Sequence, residues 1–283
     1  MVKRKGGHSF GVKPLNNVVV KSRKRSREIT SKYHEIQNKL AITPMNDNDN
    51  RIKLLQELDE IGGVDAYQQA SIVSTRHFNT SRWVVKTLNE INKAKLNDPF
   101  NKHNKLNVLE VGAINIQLHK YSYLQVRSID LHSQHPSIEE ISFFSINPAC
   151  QYDVVVCSMV INCVPTAILR FEMLARLKYH LRSPQSVLFL ALPKRCIDSK
   201  YVGYDNFLLL LECLGYYQVM ENRVTPKIIF YVLGCSTSPD CSSNWEGEVG
   251  KLCVNSKKMP SCFLAPQECA ATEFSILAGP FLQ

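Results

Sequence analysis

The chain has 283 residues, 45% of them hydrophobic, which suits one large domain or one domain with an extension. No apolar run is long and unbroken enough to cross a bilayer, so no membrane association is expected. The formal net charge is +9, and much of the excess sits near the N-terminus.

Met1–Lys39 holds eleven Lys and Arg against Glu28 and Glu35. With few apolar residues between them, residues 1–50 are expected to be a basic, disordered arm and linker. The cluster Lys21-Ser22-Arg23-Lys24-Arg25 resembles an import signal, and the expected location is the nucleus and nucleolus. The arm also suits contact with RNA phosphates, the alternative being a merely solubilising tail. No apolar segment of secretory type follows it, so an intracellular setting is expected.

Residues 51–105 read as a small helical module. Arg51–Ile61 sets Leu54, Leu55, Leu58 and Ile61 on one face before Gly62-Gly63. Asp65–Ile72 and Thr80–Lys95 are the next helices, the last with Trp83, Val84, Leu88 and Ile91 on its apolar side. Asn97–Lys105 is a polar linker.

From Leu106 the period changes. Strands are predicted at Leu106–Val111, Gln125–Leu131, Tyr152–Val160, Val187–Leu192 and Ile228–Leu233. Helices are predicted at Thr166–Leu181, with Ile168, Phe171, Leu174, Leu177 and Leu181 inward, and at Asn206–Leu214. Alternating strands and helices predict an α/β core over residues 106–234, with a doubly wound, mostly parallel sheet. Residues 235–283 read as an irregular tail with at most one weak strand. The ten cysteines show no C-x-x-C pair and no zinc spacing, so neither a metal nor a disulfide framework is expected.

Glu110-Val111-Gly112 ends an apolar strand, a turn that lets backbone approach a ligand. Some 18 residues later Asp130 ends the next strand, where a carboxylate can accept both hydroxyls of a ribose. Each feature alone is common; at this spacing they favour a nucleoside cofactor. With one glycine and no G-x-G-x-x-G, a pyrophosphate is poorly served, and S-adenosyl-L-methionine fits better. Asn162-Cys163-Val164-Pro165 follows the strand from Asp153. There an Asn carbonyl could take the exocyclic amine of a base, while Pro165 also suits a helix start.

Together, Gly62-Gly63-Val64-Asp65-Ala66-Tyr67-Gln68-Gln69-Ala70-Ser71, Leu109–Gly112, Ile129–Ser133, Asn162–Pro165 and Asp198–Tyr201 resemble the 25S ribosomal RNA adenine-N(1) methyltransferases. The opening MVKRKGGHSF is similar to fungal members. Animal relatives, SAMTOR, sense S-adenosylmethionine, so a non-catalytic sensor or scaffold is the alternative reading. The resemblance covers about residues 1–234. It implies a Rossmann-like class I methyltransferase fold, S-adenosyl-L-methionine as cofactor, and large-subunit ribosomal RNA or a pre-ribosomal particle as partner.

The resemblance further implies that Gly112 and Asp130 bind the cofactor, that Ser158 lies beside it, and that Arg76 pairs with its methionine carboxylate. A solvated surface Arg is the alternative for Arg76. Asn162 is the expected catalytic residue, against the target base. Three departures stand out. His77-Phe78-Asn79 replaces a Gly-Gly-Asp, Ser142-Phe143 stands where the family tends to have an acid before an aromatic, and the tail after Cys235 differs. Phe143 could still stack on the cofactor adenine.

Overall fold

A computed structural model describes residues 22–75, 80–94, 105–133, 135–148, 152–235, 259–263 and 274–278. The first helix, α1, runs Arg23–Ile42. It lies where disorder was expected. Ser22 caps it, its side chain accepting from the Arg25 amide at 3.1 Å, and neither Gly nor Pro interrupts it. The decisive residues are Ile29, Tyr33 and Ile36, which recur at helical spacing and are all buried. A stripe of three side chains is sparse by composition, yet it docks on a partner helix and offsets the cost of ordering.

That partner is α3, Gly63–Thr75, which follows α2, Asn48–Glu60. Ser26 in α1 donates its hydroxyl to the Ala70 carbonyl, and Ile29 packs with Ala66 and Ala70. The small side chains of α3 let the two axes approach. In α2 the expected apolar face is only partly used. None of its residues is fully buried, and Leu55 is 52% exposed. Gly62 and Gly63, both at positive φ, make the sharp reversal into α3.

Helix α4, Thr80–Ala94, was grouped with the module, but it packs on the sheet. Val84, Val85, Leu88 and Ile91 bury against Val108, Val154 and Phe189, and the Trp83 ring lies 5.1 Å from that of Phe189.

The strands are β1 (Leu106–Val111), β2 (Leu124–Asp130), β3 (Glu139–Glu140), β4 (Val154–Ser158), β5 (Val187–Pro193), β6 (Tyr216–Gln218), β7 (Arg223–Val224) and β8 (Ile228–Cys235). They form one sheet in the order β3-β2-β1-β4-β5-β8-β6, with β7 paired to β8. The neighbours from β3 through β5 are parallel, whereas β8 is antiparallel to β5, β6 and β7. The short β3, β6 and β7 carry little periodic signal and are absent from the sequence reading. The antiparallel β8 follows from its connection, since a short turn returns the chain beside its predecessors without a crossover helix.

β4, β5 and β8 are nearly continuous buried runs because helices or the chain's last segments cover both faces. On one face lies α4. On the other lie α5 (Ala167–Leu177) and α7 (Tyr204–Cys213), with the four-residue α6 (Lys194–Ile197) between them in sequence. Ile168, expected inward, is instead 37% exposed at the start of α5. The tail contributes more than expected. Phe263, Phe274, Ile276 and Ala278 join the core, and residues 274–278 do so without forming a strand. The order reverses between β1 and β4, the point in a doubly wound sheet where strand ends part to form a crevice.

Candidate active site

The ends of three strands, β1, β2 and β4, build the site. β1 turns at Gly112, whose φ of +70° suits glycine, and the Ala113 amide bonds to the Ile129 carbonyl at 3.0 Å. A Cβ at Gly112 would come within 2.3 Å of Val160 Cγ2, so the missing side chain lets the segment after β4 close over the turn. Just below, the Ser128 hydroxyl donates to Glu110 Oε2 at 2.9 Å and lies 2.9 Å from His119 Nε2. Desolvation pushes Glu110 up to about 7.

Asp130 ends β2. Its Oδ1 accepts from the His132 amide at 2.9 Å and from Gln68 Nε2 of α3 at 3.2 Å. Gln68 also donates to the His132 carbonyl. Burial raises the Asp130 carboxyl above the ordinary carboxylate value, and the two hydrogen bonds oppose that rise. The next residue, Leu131, is 58% exposed, an apolar surface beside a strand-end carboxylate.

Ser158 ends β4 opposite Ala191 of β5. Met159 then takes a φ of +62°, the left-handed region that a side chain other than glycine seldom occupies. The turn lifts Val160 over Gly112 and leads into a 3₁₀ turn at Ile161–Cys163. Asn162 Nδ2 donates to Cys163 Sγ at 3.2 Å, while Asn162 Oδ1 is buried with no hydrogen-bond partner among the described residues. A buried carbonyl without a partner is costly, and a ligand or a water can answer it.

Cys163 links this turn to the module. Its thiol donates to the Met159 carbonyl at 3.3 Å, and His34 Nε2 of α1 lies 3.3 Å from the sulfur. His34 meets the Tyr67 ring edge-on, and Tyr67 stacks on Tyr33 at 4.2 Å. Desolvation, with Arg195 adding to it, drops His34 to about 4, so the imidazole is neutral at physiological pH. Burial, followed by Cys196, pushes the Cys163 thiol up to about 12 and leaves it protonated. Helices α1 and α3 therefore close one side of the crevice.

Of the residues read from sequence, Gly112, Asp130, Ser158 and Asn162 all lie at this edge of the sheet. Arg76, with His77 and Phe78, lies outside the described residues. Phe143 is 5% exposed and packs in the core against His180 at 5.1 Å and Phe144 at 5.9 Å, so Leu131 is the apolar surface left open beside Asp130. Ser142 caps the 3₁₀ turn Phe143–Ser145, its hydroxyl accepting from the Phe144 amide. Sequence reading missed His34, which sits inside a stretch taken for an arm. It also missed Gln68, although the Tyr67-Gln68 pair lay within the motif that carried the resemblance.

A family model described as "Bmt2: 25S rRNA (adenine(2142)-N(1))-methyltransferase, Bmt2" matches residues 52–264. The chain belongs to this family. A 25S rRNA adenine-N(1) methyltransferase of Schizosaccharomyces pombe is 26% identical over 208 residues, covering 68% of this chain and 74% of that one. Among solved structures, a TehB-like SAM-dependent methyltransferase from Corynebacterium glutamicum is 14% identical, with a TM-score of 0.36, covering 66% of this chain and 97% of that one. The 16S rRNA methylase ArmA is 16% identical, with a TM-score of 0.33, covering 65% and 97%. As a Bmt2-family protein the chain is an S-adenosylmethionine-dependent ribosomal RNA adenine-N(1) methyltransferase. The site fits that cofactor. A strand-end carboxylate suits the ribose diol, an exposed Leu suits the face of a base, and Gly112 keeps the turn narrow.

Proposed function

We propose that the crevice between β1 and β4 carries out N1 methylation of an unpaired adenine in 25S ribosomal RNA, with Asn162 receiving the target base. The observation that carries this reading is the buried, unpartnered Asn162 Oδ1 on the turn after β4. When bound, S-adenosylmethionine supplies an electrophilic sulfonium methyl. Asp130 would hold its ribose hydroxyls, Leu131 would face its adenine, Ser158 would lie beside it, and Arg76 would pair with its methionine carboxylate.

Adenine N1 carries a free lone pair at neutral pH, so the site needs no general base. That agrees with a neutral His34 and a protonated Cys163 beside Asn162. Asn162 Oδ1 accepts from the exocyclic amine of the target and favours the positive charge that grows on the ring as N1 becomes methylated. Orientation supplies the rest, by holding N1 in line with the methyl group. N1 lies on the Watson–Crick edge, so the adenine must be single-stranded or turned out of its helix. A nuclear and nucleolar protein acting on pre-ribosomal particles meets that demand before the RNA is enclosed, and the basic N-terminus supports this location.

The experiment is primer extension on unmodified 25S RNA incubated with the protein, backed by mass spectrometry of the nucleosides. The expected result is one new stop, dependent on S-adenosylmethionine, at a nucleotide that yields N1-methyladenosine. Cofactor binding without that stop, on naked RNA and on pre-ribosomal particles alike, overturns the reading.

A further inference from the structure

The crevice has a polar contact waiting for a base, but no phosphate-binding group has been placed around it. An adenine turned out of its helix brings its own phosphate and those of its neighbours to within a few ångströms of the protein. The cations nearest the acceptor turn therefore decide how the RNA lies.

β5 ends at Pro193, and α6 begins at once with Lys194 and Arg195. β8 is antiparallel to β5 and pairs its first residue, Ile228, with Pro193, which brings Lys227 to the same edge. The contact is direct, since the Lys194 amide bonds to the Lys227 carbonyl at 2.8 Å. One strand further out, β7 pairs Arg223 with Phe230, and the Arg223 guanidinium lies 5.7 Å from the centre of that ring. Ser158 pairs with Ala191, two residues before Pro193, so this edge is continuous with the turn that carries Asn162.

Arg195, Arg223 and Lys227 are all exposed. Among the described residues none of them has a carboxylate partner, whereas Lys194 is paired to Asp198. Asp198, three residues after Arg195, is taken by Lys194, and Glu221, exposed on the turn before β7, forms no ion pair among the described residues. The charge of Arg195 also disfavours protonation of His34, the α1 residue that lies against Cys163. Three uncompensated cations in an arc beside an acceptor pocket suit a flexible polyanion better than a protein surface, which would have to match them with fixed acids.

We infer that Arg195, Arg223 and Lys227 form the phosphate-binding strip that guides the target strand of RNA over the β5–β8 edge into the crevice. This rests on the proposed RNA reaction and adds the path of its substrate.

The test is binding of a single-stranded 25S RNA fragment containing the target adenine, measured over a range of salt. The triple variant Arg195→Ala/Arg223→Ala/Lys227→Ala is compared with wild type and with Lys105→Ala, a control on the opposite edge just before β1. The slope of log affinity against log salt should become shallower by about 2, since each phosphate contact to a single strand contributes about 0.7. Affinity at low salt should fall at least tenfold, with S-adenosylmethionine binding and the Lys105→Ala slope unchanged. The single variant Arg195→Glu, which alters one exposed side chain, should raise KM for RNA and leave kcat within a few-fold.

An unaltered slope in the triple variant, or a weakened affinity without a change of slope, overturns the strip. So does an Arg195→Glu variant with wild-type KM. If the triple variant loses the slope while wild type never methylates the RNA, the strip stands and the proposed reaction falls.

Discussion

Gln68 of α3 donates a 3.2 Å hydrogen bond to Asp130 at the end of β2, so the helical module grips the carboxylate assigned to the cofactor. Asp130 cannot be perturbed without the module sensing it, and the converse also holds. Asp130→Ala should weaken S-adenosylmethionine binding at least tenfold by calorimetry, since a charge-assisted hydrogen bond contributes about 1.5–3 kcal/mol. Gln68→Leu should weaken it several-fold and also speed proteolytic cleavage within α1–α3. Wild-type affinity in Asp130→Ala would refute the ribose assignment.

Gly112→Ala confronts two obstacles, a positive φ and a Val160 methyl at 2.3 Å. The first alone costs about 1–2 kcal/mol. The variant should be less stable in urea denaturation and should lose cofactor binding. Adding Val160→Ala should recover part of the stability, because it removes the clash but not the backbone strain. No recovery would mean that Val160 does not lie over the turn.

Asn162→Ala removes the unpartnered carbonyl. The primer-extension stop should disappear while S-adenosylmethionine affinity stays within a few-fold, because the contact is to the target base. Full activity in this variant would place the acceptor pocket elsewhere. A large loss of cofactor affinity would make Asn162 part of the cofactor site.

Glu110 gives the cofactor-free protein a pH signature. Its native carboxyl stands at about 7, raised from 4.5, so the folded state prefers it protonated. Its contribution to stability is fully present below about pH 4.5 and is lost as pH rises through 7. Glu110→Gln should abolish this slope and be the more stable protein at pH 8, by an amount on the order of 3 kcal/mol at most. Thermal melts of both proteins from pH 5 to 8 measure it, and parallel curves would rule it out.

Deleting residues 1–21, all ahead of the Ser22 cap, should reduce the salt dependence of RNA binding and the nucleolar fraction of a fluorescent fusion. S-adenosylmethionine affinity should not change. An unaltered slope together with unaltered localisation would make this stretch an inert tail.

The parallel half of the sheet was legible because β1, β2, β4 and β5 are long, apolar and separated by helices or turns. Gly112 and Asp130 were legible because a strand end dictates a glycine turn and a carboxylate at fixed spacing. α1 was missed for a different reason. Composition counts charges, whereas Ile29, Tyr33 and Ile36 act through spacing, and their burial needs the small residues of α3 as a counterpart. With α1 went His34, whose contact with Cys163 spans 129 positions of chain and has no local sign. Phe143 was read as a stacking surface from its place in a motif, but it is buried in the core with distant residues such as His180, which no local pattern predicts.

Arg170 is buried in α5, and its guanidinium donates to the carbonyls of Val164, Pro165 and Ser275. It thereby ties a segment near the C-terminus to the loop that carries Asn162, while His34, near the N-terminus, reaches Cys163 in the same loop. Segments well before and well after the sheet thus act as guy-ropes on one short turn of backbone. Trimming either anchor would slacken that turn and be felt at the target adenine, and trimming the later one would also strip Phe274, Ile276 and Ala278 from the core.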